Sequence, residues 1–115
     1  MEFVNLRWAK PLDAATILDV AKRTRKLVIM EEGVLTGGLG SAILELLAEH
    51  GLYDVKVKLF GIPDRFVEHG AIPILHRLCM LTTPDFAAAA RDLLGLPQPE
   101  PERLTEDAKH EPMTA

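Results

Sequence analysis

Leu27-Val28-Ile29-Met30 is an unbroken apolar run of strand length, the pattern of a central strand covered on both faces, and the segments after it decide the fold class. Glu31-Glu32-Gly33 ends the run, and Gly37-Gly38-Leu39-Gly40-Ser41 turns the chain. Ile43, Leu44, Leu46 and Leu47 then form a wide apolar helical face, with Gly51 placed to stop the helix. From Tyr53 to Phe60 apolar and polar residues alternate, as in a strand with one solvated face or at an edge. Strand, helix and strand at this spacing predict a parallel pair with a right-handed crossover, so loops that could bind a ligand gather at the carboxyl ends of the strands.

The flanking segments extend the pattern. Phe3-Val4-Asn5-Leu6 reads as a first strand, Lys10-Pro11-Leu12 as a turn, and Asp13 as the cap of a helix whose apolar positions are Ala14, Ile17, Leu18 and Ala21. Lys22 and Arg23 lie in its last turn, where cations suit the helix dipole. Pro73 to Leu81 predicts a short buried helix. Thr83-Pro84-Asp85, a capping hydroxyl followed by proline and an acid, starts another that Gly95 ends. Residues 1–95 form the expected domain. In 96–115, Pro97, Pro99 and Pro101 alternate with polar and acidic residues, the composition of a disordered tail.

A chain of 115 residues fits one small domain, and 48% hydrophobic residues suffice for a packed core. The net charge of -4 speaks against nucleic acid as a partner, since Lys22, Arg23, Arg25 and Lys26 form the only dense basic cluster. Cys79, the single cysteine, permits no intrachain disulfide and no cysteine-based metal site, which suits a cytoplasmic location. The start MEFVNLRWAK is not that of an export signal, and no run is long enough to span a bilayer.

Two stretches invite a chemical reading. Gly37, Gly38, Gly40 and Ser41, between strand and helix, could bring backbone amides close to an anion. A dinucleotide fingerprint would need a third glycine or alanine where Ile43 stands and an acid where Lys58 stands, and no P-loop lysine follows. Glu31 and Glu32 would repel a phosphate. A tight turn with close helix packing is therefore the preferred reading. The second stretch is Gly61-Ile62-Pro63-Asp64-Arg65-Phe66-Val67-Glu68-His69-Gly70. Asp64 can cap a single helical turn that Gly70 ends, with Phe66 or Val67 turned inward and Arg65 reaching Glu68 or facing His69. Neighbours such as Glu68 and His69 diverge on a helix or strand, so their adjacency is no general-base pair. A structural or interface loop, rather than a catalytic one, is the expectation. His50, His76 and His110 lack metal-ligand partners at useful spacing, Cys79 reads as a core residue, and Trp8 as an aromatic packed on a helix. No catalytic, cofactor-binding or metal residue is assigned.

Leu6-Arg7-Trp8-Ala9-Lys10-Pro11-Leu12-Asp13, Glu31-Glu32-Gly33 with Gly37-Gly38-Leu39-Gly40-Ser41-Ala42, and the stretch Gly61–Gly70 together resemble the C-terminal domain of 1-deoxy-D-xylulose-5-phosphate synthases, in order from about Val4 to Leu94. The first two motifs are shared more loosely with transketolases and the beta subunits of 2-oxo acid dehydrogenases. The resemblance implies a three-layer α/β/α sandwich with a mostly parallel sheet, like the transketolase C-terminal domain. The strand-helix unit that begins the family's domain has no match here, and its strand would lie between the first two strands read above. The resemblance also implies that thiamine diphosphate and magnesium are held by other domains of the parent enzyme. This chain would then be a structural and dimer-forming module, inactive alone, with a second copy or a chain carrying the remaining domains as partner. A free-standing regulatory or small-molecule-binding module, the C-terminal section of another transketolase-like enzyme, and an independent enzyme using His69 with Glu68 or Asp64 are the alternatives.

Overall fold

The fold is that of a computed structural model and is described for residues 1–100; most of the expected tail, 101–115, and His110 with it, lies outside the described residues. The elements are α1 (Ala14–Thr24), β1 (Lys26–Val34), α2 (Leu39–Glu49), β2 (Lys56–Ile62), α3 (Ile72–Leu78) and α4 (Thr83–Leu94).

β1 and β2 pair in parallel, Leu27 beside Val57 and Ile29 beside Leu59, as the strand, helix and strand pattern requires. These four side chains face one side of the sheet, where Ile17 and Ala21 of α1 and Ile43 and Leu47 of α2 complete the core. Burying a side chain such as Ile43 contributes about 2 kcal/mol. On the opposite face Phe60 meets Phe86 of α4 edge-on, ring centroids 4.8 Å apart, and Ala89 of α4 is buried. Helices thus cover both faces of a small parallel sheet, the α/β architecture expected.

Several expectations need correction. Phe3–Leu6 is not a strand: among the described residues the sheet has two strands, and a strand without a ladder partner has no use for its amides. The segment is instead held by Glu2, which pairs with Arg23 of α1 at 2.9 Å, and by Leu6 against the core, while Phe3 stays 80% exposed. β1 does not stop at Glu31-Glu32-Gly33 but runs on to Val34, which pairs with Ile62 after a register irregularity. That continuation needs Gly61, whose missing side chain leaves room for the Gly33 carbonyl oxygen at 3.0 Å and for Leu35. The segment expected to be a buried helix is α3, and none of its residues is buried, because it lies beyond the carboxyl end of the sheet rather than on a face. Trp8 is exposed rather than packed on a helix. The residue before α4 is Thr82, not Thr83, and the Asp85 carboxylate accepts from both its backbone N–H and its hydroxyl. After α4, Gly95 takes a positive φ, the Arg91 guanidinium donates to the Pro97 carbonyl oxygen at 3.2 Å, and Gln98 donates to that of Ala88 at 3.0 Å.

Asp13 caps α1, accepting from the Thr16 amide at 3.1 Å and from the Thr16 hydroxyl at 2.7 Å. The two bonds, the hydroxyl's first, hold its carboxyl below the ordinary aspartate value. A depressed folded value means stability that is present above the unfolded value and lost as pH falls through the folded one. Asp13→Asn, which retains an acceptor, is therefore expected to melt close to the parent at neutral pH. The parent's remaining advantage should vanish on acidification below about pH 4. Thermal melts by circular dichroism across that range test this, and a difference independent of pH would rule it out.

Candidate functional site

The loops at the carboxyl end of the sheet bring together both stretches singled out in the sequence. β1 carries Glu31 and Glu32 to this end, and the next turn leads into α2. Gly37 there has φ +77, a left-handed conformation that glycine adopts without cost. Ser41 closes the turn: its hydroxyl donates to the Leu35 carbonyl oxygen and accepts from the Gly37 amide, both at 3.0 Å.

The first amides of a helix have no partners within it and carry the positive end of its dipole. In α2 they are satisfied from within the chain. Glu31 accepts from the Leu39 amide at 2.7 Å and from the Gly40 amide at 3.1 Å, one oxygen for each. The glycines permit this. A Cβ on Gly38 would collide with the Val34 carbonyl oxygen and with the Glu31 carboxylate, and one on Gly40 would stand 2.8 Å from a methyl of Leu59. The carboxylate expected to repel a phosphate thus occupies the place an anion would take.

Across this end lie two adjoining cavities of about 200 and about 330 Å³, which share Glu32, His76 and Leu81. The larger has an apolar floor that includes Ile62, Val67 and Leu75, with Cys79 half-buried in its wall and Glu68 and His69 at its rim. His76 Nε2 lies 2.9 Å from a Glu32 carboxylate oxygen, tying α3 to the end of β1.

The stretch Gly61–Gly70 does not form the capped helical turn expected of it. It enters as the end of β2, bends at Asp64 and Arg65, and continues without regular structure. Arg65 reaches neither Glu68 nor His69; its guanidinium donates to the Leu78 carbonyl oxygen at 3.3 Å, at the end of α3 where carbonyls lack helical partners. Of the two candidate anchors Val67 is half-buried and lines the cavity, while Phe66 points outward, 91% exposed. Asp64, Glu68 and His69 are exposed, and no hydrogen bond joins Glu68 to His69. His50 caps its own helix, with Nδ1 3.0 Å from the Leu46 carbonyl oxygen. Among the described residues no cluster of histidine, cysteine and acid could hold a metal ion.

Sequence reasoning missed both carboxylate contacts. Glu31 precedes the amides it binds by eight and nine residues, outside the range of local capping motifs, and Glu32 and His76 stand 44 residues apart. The only available signal for Glu31 was an acid at the end of a strand followed by a glycine-rich helix start.

Residues 1–85 match the family model described as transketolase, C-terminal domain. The chain is 46% identical over 99 residues to 1-deoxy-D-xylulose-5-phosphate synthase 1 of Geobacter sulfurreducens, covering 84% of this chain and 16% of that protein. It is 51% identical over 79 residues to the 1-deoxy-D-xylulose-5-phosphate synthase of Desulforudis audaxviator, covering 69% of this chain and 12% of that one. With the synthase of Pelotomaculum thermopropionicum the identity is 55% over 67 residues, 58% of this chain and 10% of the relative. The chain therefore spans less than a fifth of the length of these relatives. Among the described residues, no helix is long and apolar enough to cross a membrane.

Proposed function

The chain belongs to the transketolase C-terminal domain family, and on that premise we propose that it is the structural, dimer-forming C-terminal domain of a cytoplasmic, thiamine-diphosphate-dependent 1-deoxy-D-xylulose-5-phosphate synthase. In this reading the whole enzyme joins a two-carbon unit from pyruvate to glyceraldehyde 3-phosphate with loss of CO2, and this domain does not turn over substrate alone. The observation that carries the reading is the extent of the match: identity of 46% spread over 84% of this chain but 16% of a synthase.

A diphosphate would seek the amides at the start of α2, and two of these are bound to Glu31. This supports a reading in which thiamine diphosphate and magnesium are held by other domains of the parent enzyme, as the family resemblance implies. The part left to this chain is to pack and to associate, which its exposed apolar residues Phe3, Trp8 and Phe66 support.

Size-exclusion chromatography with light scattering, on the chain alone and mixed with a polypeptide carrying the preceding synthase domains, tests the proposal. Self-association or a mixed complex is the expected result. A chain that stays monomeric and shows no affinity for those domains overturns it.

A further inference from the structure

We infer that the acidic segment 100–111 at the end of this chain docks on a lysine-lined patch of its own sheet, on the face that α4 covers only in part. The inference stands apart from the association proposed above. Leu27, Ile29, Val57 and Leu59 point to the core side of the sheet, so Lys26, Val28, Lys56 and Lys58 point to the other. Lys26 lies beside Lys56 in the ladder, and Val28 beside Lys58. α4 packs on this face chiefly against β1, with Phe86 on Phe60 near the carboxyl end, and all three lysines remain exposed.

The patch is positive and short of partners. Paired strands run about 4.8 Å apart, so the side chains of Lys26 and Lys56 start side by side and their ammonium groups repel. None of the three lysines pairs with an acid among the described residues. Asp54, the acid nearest to Lys56 in the sequence, is bound to Arg25 at 2.7 Å, while Glu2 and Asp19 are held by Arg23. A patch of one sign draws in groups of the other, and those on the same chain are the most available.

The segment that leaves from this face is acidic. Arg91 donates to the Pro97 carbonyl oxygen and Gln98 to that of Ala88, which fixes the start of the segment on α4, the helix over the lysine face. Glu100, Glu102, Glu106, Asp107 and Glu111 follow, against Arg103 and Lys109. The nine residues 99–107 can span about 30 Å, more than the roughly 23 Å of a seven-residue strand such as β2. The acids therefore reach any point of the patch. Tethering holds them there at an effective concentration on the order of millimolar, which favours this segment over a separate acidic protein or the same segment of a second copy.

Acylation of the full chain with limiting amine reagent, read lysine by lysine by mass spectrometry, tests the contact. At low salt Lys26, Lys56 and Lys58 are expected to react roughly threefold more slowly than in a full-length variant with Glu100→Gln, Glu102→Gln, Glu106→Gln and Asp107→Asn, the protection given by a site occupied about two-thirds of the time. Lys10 and Lys22, exposed elsewhere on the chain, should react alike in both. At about 1 M salt, where charges are screened beyond about 3 Å, the difference should vanish. Equal rates at Lys26, Lys56 and Lys58 in parent and variant overturn the contact. A slowing shared by Lys10 and Lys22 overturns it too, because it reports a general field rather than a docked segment. Protection that grows with protein concentration assigns the segment to another copy and overturns docking within the chain.

Discussion

Glu31→Ala is expected to lower the unfolding free energy by about 3 kcal/mol, taking about 1.5 kcal/mol for each hydrogen bond to a charged group. The bonds lost are those from Leu39 and Gly40, made at 2.7 and 3.1 Å in a partly buried position at the positive end of α2. For a small domain this is a large fraction of the total. Glu31→Gln, which keeps an acceptor but not the charge, should fall between the two. Urea unfolding followed by circular dichroism measures the series. An alanine variant as stable as the parent would mean that water serves those amides as well as the carboxylate does.

The second large effect separates two neighbours that look alike in sequence. Gly38→Ala is expected to cost about 3 kcal/mol, the upper part of the usual range for overpacking, because the added methyl meets the fixed Val34 carbonyl oxygen and pushes the Glu31 carboxylate off its amides. Gly37→Ala, with open space around its Cβ but a φ of +77, should cost about 1 kcal/mol of backbone strain. Part of the Gly38 penalty acts through Glu31, so combining Gly38→Ala with Glu31→Ala should cost less than the two changes separately. Full additivity would show that the methyl does not disturb the carboxylate.

The elements that can be read from sequence are those whose determinants are local. Asp13 sits three residues before the Thr16 amide it binds, and the start of α4 is marked by Pro84 and Asp85, although the capping residue is Thr82 rather than the Thr83 expected. The parallel pairing of β1 and β2 follows from a helical segment of the right length between two apolar runs. The position of α3 was not legible in this way. Its apolar content matches that of a buried helix, and only its place beyond the sheet end leaves Ile74 and Leu78 in solvent. Phe3–Leu6 failed for a related reason, since strand composition does not supply a neighbouring strand to pair with.

At the site the division is similar. The glycine spacing, the strand before it and the helix after it are in the sequence, and they specify a helix start with free amides at the carboxyl end of a strand. Which anion those amides hold was decided by the tertiary structure, because Glu31 meets them only once β1 and α2 are packed together. Likewise Gly61–Gly70 marks the family by its residues, but the hold of Arg65 on the end of α3 is a contact thirteen residues away, and the exposure of Phe66 shows only in the folded chain. By itself the sequence determined the helices, the parallel pair and the family. The folded chain decided which charges are satisfied within it and which apolar side chains stay exposed, because burial and charge satisfaction depend on groups brought together from distant positions.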